Sequence, residues 1–188
     1  MIFVTVGTQL PFDRLVDAVD RWAQARGRTD VVAQTGDTVW RPRVIRVVPF
    51  LTPGEFQKTF AQASVIVSHA GLGTIISALE LGKPVVVLPR RAELEEHRND
   101  HQLATARRFA ARRSVSVAFD EREIADRLDG LEQIGAGERI GASASPALVE
   151  AIRGFITGRS PEPTGARRSS EKQRGASTAQ AGDSLSIR

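Results

Sequence analysis

Apolar residues along this 188-residue chain fall into two alternating patterns. Short apolar runs at 2–6, 31–34, 44–48, 65–68, 85–88 and 115–119 carry many β-branched residues and no clear alternation. A strand with one wetted face alternates apolar and polar positions, so these runs fit strands buried on both faces. Helix-length amphipathic stretches lie between them. Leu15, Val16, Val19, Trp22 and Ala23 recur at helical spacing, with Trp22 on the core stripe. The stretch 53–63 opens on Pro53, suited to a first helical turn, and 73–81 stops at Gly82 and Pro84, a C′ glycine followed by a breaker. Leu103, Ala106, Phe109 and Ala110 share one face of a helix over 99–113, and shorter helices are expected over 121–131 and 146–156. Strands alternating with helices predict a Rossmann-like α/β fold, a doubly wound parallel sheet, in one domain over 1–157.

Beyond Gly158 the pattern stops. Residues 158–188 hold almost no large apolar side chain and cannot offset their ordering entropy, so a disordered basic tail is expected there. This segment carries six Arg and Lys against three Asp and Glu, hence three of the four net positive charges. The remainder is close to neutral, which argues against nucleic acid as a partner. With no cysteine there is neither a disulfide framework nor a thiolate metal site. No run reaches about 18 apolar residues, so the reading is of a soluble chain that stays where it is made.

The densest chemistry lies between Ser64 and Phe109. A strand delivers Ser68 and His69 at its carboxyl end, Gly71 and Gly73 allow a tight turn, and Thr74 opens a helix. Such a junction offers free N–H groups and the positive end of a helix dipole to a phosphate. Taken alone, this Gly-x-Gly-Thr turn serves an ordinary strand-to-helix connection equally well. It lacks the third glycine of a dinucleotide fingerprint and the lysine of a P-loop.

The order of motifs is more specific: HAGLGT at 69–74, Gly82-Lys-Pro84, Pro89, then NDHQ at 99–102, with VTVGT at 4–8 and Pro11-Phe12 near the start. Over residues 1–157 this resembles the C-terminal domain of glycosyltransferase family 28, the donor-binding half of the GT-B architecture. The family includes the lipid II synthase of peptidoglycan assembly and the catalytic subunit of the dolichol-linked GlcNAc transferase. PRR at 89–91 with HRNDHQ at 97–102 is similar to stand-alone bacterial subunits of exopolysaccharide assembly, PssE-type glucuronosyltransferases among them.

The resemblance implies a UDP-sugar donor whose pyrophosphate is held by His69, also the catalytic candidate, and by the backbone of Gly71, Leu72, Gly73 and Thr74. Uracil would be read around 48–51, including Phe50. Asn99, His101 and Gln102 would reach the sugar or its β-phosphate, and Gly7 and Thr8 would line the acceptor side. Ser77 stands where many members carry a ribose-binding glutamate, with Glu80 one turn on as a substitute. Arg90 and Arg91 would clamp a diphosphate or a uronate carboxylate bidentately, or form a solvated basic loop.

Further implications are a lipid-linked saccharide acceptor and a membrane-anchored acceptor-binding subunit that brings the chain to the cytoplasmic face, with 146–156 as the docking helix. No cofactor and no metal are expected: His97 and His101 stand four apart near Glu93 and Glu96, but without the glutamate after the first histidine that a zinc protease needs. Glu93, Glu95 and Glu96 read as a solvated acidic loop, and Arg107, Arg108, Arg112 and Arg113 as an exposed helix face. Rival functions are a non-catalytic UDP-sugar-binding regulatory module, a stand-alone homodimeric transferase and a nucleic-acid binder.

Overall fold

The computed structural model describes residues 1–130, 139–141, 149–150, 152–153 and 156. Six parallel strands form one sheet in the order β3-β2-β1-β4-β5-β6: β1 Ile2–Thr5, β2 Val31–Gln34, β3 Arg46–Val48, β4 Val65–His69, β5 Val85–Leu88 and β6 Val115–Val117. Helices α1 Asp13–Arg26, α2 Pro53–Gln62, α3 Leu72–Glu80, α4 His101–Phe109 and α5 Ile124–Asp129 complete the fold.

Both faces of the sheet are covered, which explains the unbroken apolar runs. Ile2, Val4 and Val6 pack with Leu15, Val19 and Trp22 of α1 and with Ile124 and Leu128 of α5. Phe3 points the other way, into a second core with Phe60 of α2, Ile75 and Leu79 of α3 and Ala106 of α4. Phe3, Phe56 and Phe60 meet at ring separations of 5.5 to 6.3 Å.

Element boundaries follow local chemistry. α2 starts at a capping box: Thr52 Oγ1 accepts from the Glu55 N–H while the Glu55 carboxylate accepts from the Thr52 N–H. α3 begins at Leu72, one residue before the expected start, and closes on Gly82 in the left-handed region (φ 64°), with Lys83 N–H bonded to Ala78 O. The strand expected over 44–48 begins only at Arg46, because the N–H groups of Val44 and Ile45 donate to the buried Asp20 carboxylate instead of a neighbouring strand. α4 is shorter than 99–113, and the helix expected over 121–131 opens as a 3₁₀ turn at Glu121–Glu123 before α5.

The chain divides into two units, Met1–Ser143 and Ala144–Arg188. In the second, residues 149–150, 152–153 and 156 are helical, inside the helix expected over 146–156. The rest of that helix, the boundary at 157 and the tail 158–188 lie outside the described residues.

Candidate functional site

The strand order reverses direction between β1 and β4, and their following loops diverge to opposite faces of the sheet. In a doubly wound fold a crevice opens at that point, beyond the carboxyl ends of the strands. A cleft of about 600 Å³ lies there. Thr5 to Gln9 form one side, and His69, Gly71, Gly73, Thr74 and Ser77 of β4 and α3 form another. Arg90, His97, His101 and Gln102 follow β5, and Gln34, Phe50, Leu51, Pro53, Phe56, Gln57 and Phe60 line the end near β2, β3 and α2.

All three histidines of the chain line this cleft, and among the described residues no Asp or Glu does. No side chain caps α3, so its first-turn N–H groups have no helical partner and carry the positive end of the dipole. The lining is therefore electropositive at one end and aromatic at the other.

His69 is the last residue of β4, and its imidazole is seated between two glycines. A Cβ built on Gly71 would come within 2.1 Å of the His69 Cε1, and one on Gly7 within 2.8 Å of its Nε2. Gly7 also sits at φ 80°, in the left-handed region that side chains disfavour. Burial, then the Arg90 charge, push the His69 pKa down to about 4, while a hydrogen bond with Gln102 acts in the opposite direction. The ring is therefore neutral at physiological pH, able to donate at one nitrogen and accept at the other. Its Nδ1 is buried without a hydrogen-bond partner, as is that of His97, whose pKa is lowered by burial and by the nearby His101 and Arg90.

By contrast, Gly73 has open space around it: a Cβ there would meet nothing within 4 Å. Neither φ nor packing requires glycine in this first helical turn, although glycine weakens a helix. What its bare backbone leaves open is room at the cleft wall.

A buried amide holds the loop after β1. Gln34 Oε1 accepts from Thr5 Oγ1 (2.7 Å), and Gln34 Nε2 donates to Gly7 O (3.1 Å) and Pro49 O (3.3 Å). Thr5 Oγ1 in turn accepts from the Gly7 N–H (3.3 Å). One side chain of β2 thus ties the loops after β1 and β3, the two that carry Thr8 and Phe50. Phe50 itself is 62% exposed at the cleft mouth.

Of the residues singled out from the sequence, Gly7, Thr8, Phe50, His69, Gly71, Gly73, Thr74, Ser77, Arg90, His101 and Gln102 line this one cleft. Leu72, at the first position of α3, is exposed and Asn99 lies outside the lining, where its Oδ1 accepts from the His101 N–H (3.3 Å) and also contacts that ring's Nδ1.

The expectation for the arginine pair is corrected. Arg90 is 2% exposed, and its guanidinium donates to the carbonyls of Val6, Leu10, Pro11 and Glu96, so it is not a free anion clamp. Arg91 lies outside the lining and donates to Phe119 O (2.7 Å). Glu80 is exposed and also lies outside the lining, which removes it as the substitute for Ser77. Glu96 is not a solvated acid: Arg14 holds it with two bonds of 2.8 Å, and the Arg91 N–H donates to it at 2.9 Å.

Gln9, Gln34 and Gln57 are lining residues that no motif contains, while Thr5 and His97 stand inside the VTVGT and HRNDHQ motifs without a role assigned to them there. For His97 the signal is its spacing of four from His101, which reads as a metal pair before it reads as two rings of one cleft wall. The two rings meet edge to face at 4.4 Å, and among the described residues no group of three His, Cys, Asp or Glu is placed to hold a metal ion.

The model of the glycosyltransferase family 28 C-terminal domain matches residues 1–134. The mouse (Mus musculus) UDP-N-acetylglucosamine transferase subunit ALG13 is 32% identical over 117 residues, 57% of this chain and 10% of that protein. The chain thus spans about a tenth of that relative's length. The solution structure of ALG13 superposes with a TM-score of 0.53 at 18% identity, covering 80% of this chain and 93% of that one. MurG of Acinetobacter baumannii gives 0.54 at 16% identity, covering 83% and 49%. At these identities the structural likeness speaks for the Rossmann-like half of the GT-B fold. On the family match across residues 1–134, the chain belongs to the glycosyltransferase family 28 C-terminal domain family.

Proposed function

We propose that the cleft binds a UDP-sugar and that the chain is the donor-binding half of an inverting glycosyltransferase. The observation that carries this reading is the acid-free cleft at the uncapped start of α3, with three histidines around it. A diphosphate fits the electropositive end, through the N–H groups of Leu72, Gly73 and Thr74, the Thr74 hydroxyl and the neutral His69 ring. The aromatic end suits the base, with Phe50 free to cover it. Ser77 and Gln57, lining residues with short or neutral polar groups, are the candidates to face the ribose.

In the reaction an acceptor hydroxyl attacks the anomeric carbon from the side opposite the diphosphate. The bond from that carbon to the β-phosphate oxygen breaks, the electron pair leaves with UDP, and the hydroxyl proton passes to a general base. Charge grows on the leaving diphosphate, where the α3 N–H groups and His69 are positioned to stabilise it. The acceptor, a lipid-linked saccharide in this reading, and the general base come from a membrane-anchored partner that recruits the chain to the cytoplasmic face. The likeness to the mouse UDP-N-acetylglucosamine transferase subunit supports both the partner and a UDP-N-acetylglucosamine donor. With Arg90 and Arg91 committed to carbonyls, UDP-glucuronate lacks the guanidinium pair that would favour its carboxylate.

Calorimetric titration with UDP, UDP-GlcNAc, UDP-glucose and UDP-glucuronate, beside His69→Ala, tests the reading. UDP binding weakened by the substitution is expected, with UDP-GlcNAc preferred. No UDP binding, alone or with a candidate partner, overturns it. UDP binding without transfer in a reconstituted complex would favour the non-catalytic module instead, which Ser77 in place of a charged ribose ligand keeps in view.

A further inference from the structure

We infer that Arg90 is a positioning residue of the cleft: its guanidinium, inserted beneath loop 6–11, fixes the Gly7 turn against which the His69 imidazole is seated. Nη2 donates to Val6 O (2.8 Å) and Leu10 O (2.6 Å), and Nη1 to Pro11 O (2.8 Å) and Glu96 O (3.3 Å). The same guanidinium carbon stands 4.5 Å from the Phe12 ring centre, and that of Arg14 stands 5.3 Å from it. A buried cation normally faces a carboxylate. Here the nearest acid, Glu96, gives its side chain to Arg14, and Arg90 faces peptide carbonyls that would otherwise be stranded as the chain turns from β1 into α1.

From Arg90 to His69 the linkage is short. The held carbonyls flank Gly7, whose left-handed backbone leaves no room for a Cβ beside the His69 Nε2. Gln102 joins the two from the main-chain side: its Oε1 accepts from the backbone N–H of Arg90 (3.2 Å), a bond that side-chain substitution keeps, and its side chain also bonds His69. Guanidinium geometry is essential, because five donors in a planar fork reach carbonyls spread over several residues, whereas an ammonium is a compact point donor. The titratable groups facing His69 are Arg90 after β5, His97 in the next loop and His101 at the start of α4.

This assignment rests on the donor-site reading for its purpose but not for its geometry, and the test keeps the two apart. Arg90→Met and Arg90→Lys would be compared with the parent chain by amide hydrogen exchange of residues 6–12, NMR titration of the His69 ring, and UDP calorimetry. In Arg90→Met, exchange in 6–12 is expected to rise about tenfold or more while β4 and β5 amides keep their protection. His69 should titrate above its parent value of about 4, towards 6.5, and UDP affinity should fall by about tenfold. Arg90→Lys restores the charge without the fork, so the loop should still loosen while His69 titrates lower than in Arg90→Met. Unchanged loop exchange together with an unchanged His69 titration overturns the assignment. If Arg90→Met does not fold, the same two readouts on Arg90→Lys decide. If the parent chain binds no UDP, the donor reading fails, and exchange and titration still judge Arg90.

Discussion

Two desolvated titratable side chains, buried Asp20 on α1 and partly buried His69 at the end of β4, are treated in opposite ways. Asp20 is 0% exposed and fully bonded: Oδ1 accepts from the N–H groups of Val44 (3.0 Å) and Ile45 (3.1 Å), and Oδ2 from the N–H (2.8 Å) and guanidinium (3.3 Å) of Arg43. Burial alone would raise its pKa, but these donors hold the carboxyl below its ordinary value. His69 is also desolvated, yet its Nδ1 is buried with no hydrogen-bond partner, on a ring that lines the cleft. Buried polar groups are nearly always paired, so a saturated one marks scaffold and an open one marks a place kept for something else. The lesson extends to Arg90, a saturated group that the basic loop disguised as a ligand-binding one.

The largest effect that sharpens this contrast is on Asp20. Asp20→Ala takes the acceptor from three N–H groups, that of Ile45 in a buried residue, and the ion-pair partner from Arg43, and is expected to cost about 4 kcal/mol in urea denaturation, with UDP affinity of the folded fraction unchanged. A loss under about 1 kcal/mol would break the scaffold side of the comparison.

Acid comes next. The folded His69 pKa of about 4 lies below the ordinary 6.5 of the unfolded chain. Between those values the unfolded state takes up the proton more readily, so stability is full above about pH 6.5 and falls as pH drops through 4. The loss is on the order of 3 kcal/mol, and most of it should vanish in His69→Ala, measured by denaturation at stepped pH. Any depressed carboxyl, Asp20 included, acts in the same direction at lower pH.

A smaller effect, about 1.4 kcal/mol or tenfold in UDP affinity, is expected for Gly71→Ala, whose Cβ would displace the His69 ring. Smallest is Gly73→Ala: relieved of a helical glycine, the protein should gain about 0.5–1 kcal/mol while UDP binding weakens severalfold. A gain in both stability and affinity would show that the open space at Gly73 is not used by a ligand.

The sheet was legible because its signal is local: apolar runs, caps and breakers act within a few residues, and the HAGLGT turn needs only its own strand and helix. What escaped was set by partners far away in sequence. β3 begins late because of Asp20, 25 residues before Ile45. Arg90 is taken by carbonyls about 80 residues earlier, and Glu96 by Arg14, 82 residues earlier. Gln34 looks like any polar strand end until β1 and β3 flank it. Neither periodicity nor motif spacing encodes such pairings, which is why the residues that touch the cleft were easier to name than those that hold it in shape.

That no acidic side chain lines the cleft among the described residues has a kinetic side. Nothing in that wall separates the diphosphate of UDP from that of a UDP-sugar by charge, so in the donor-site reading product and donor would compete for the same N–H groups and UDP would inhibit turnover.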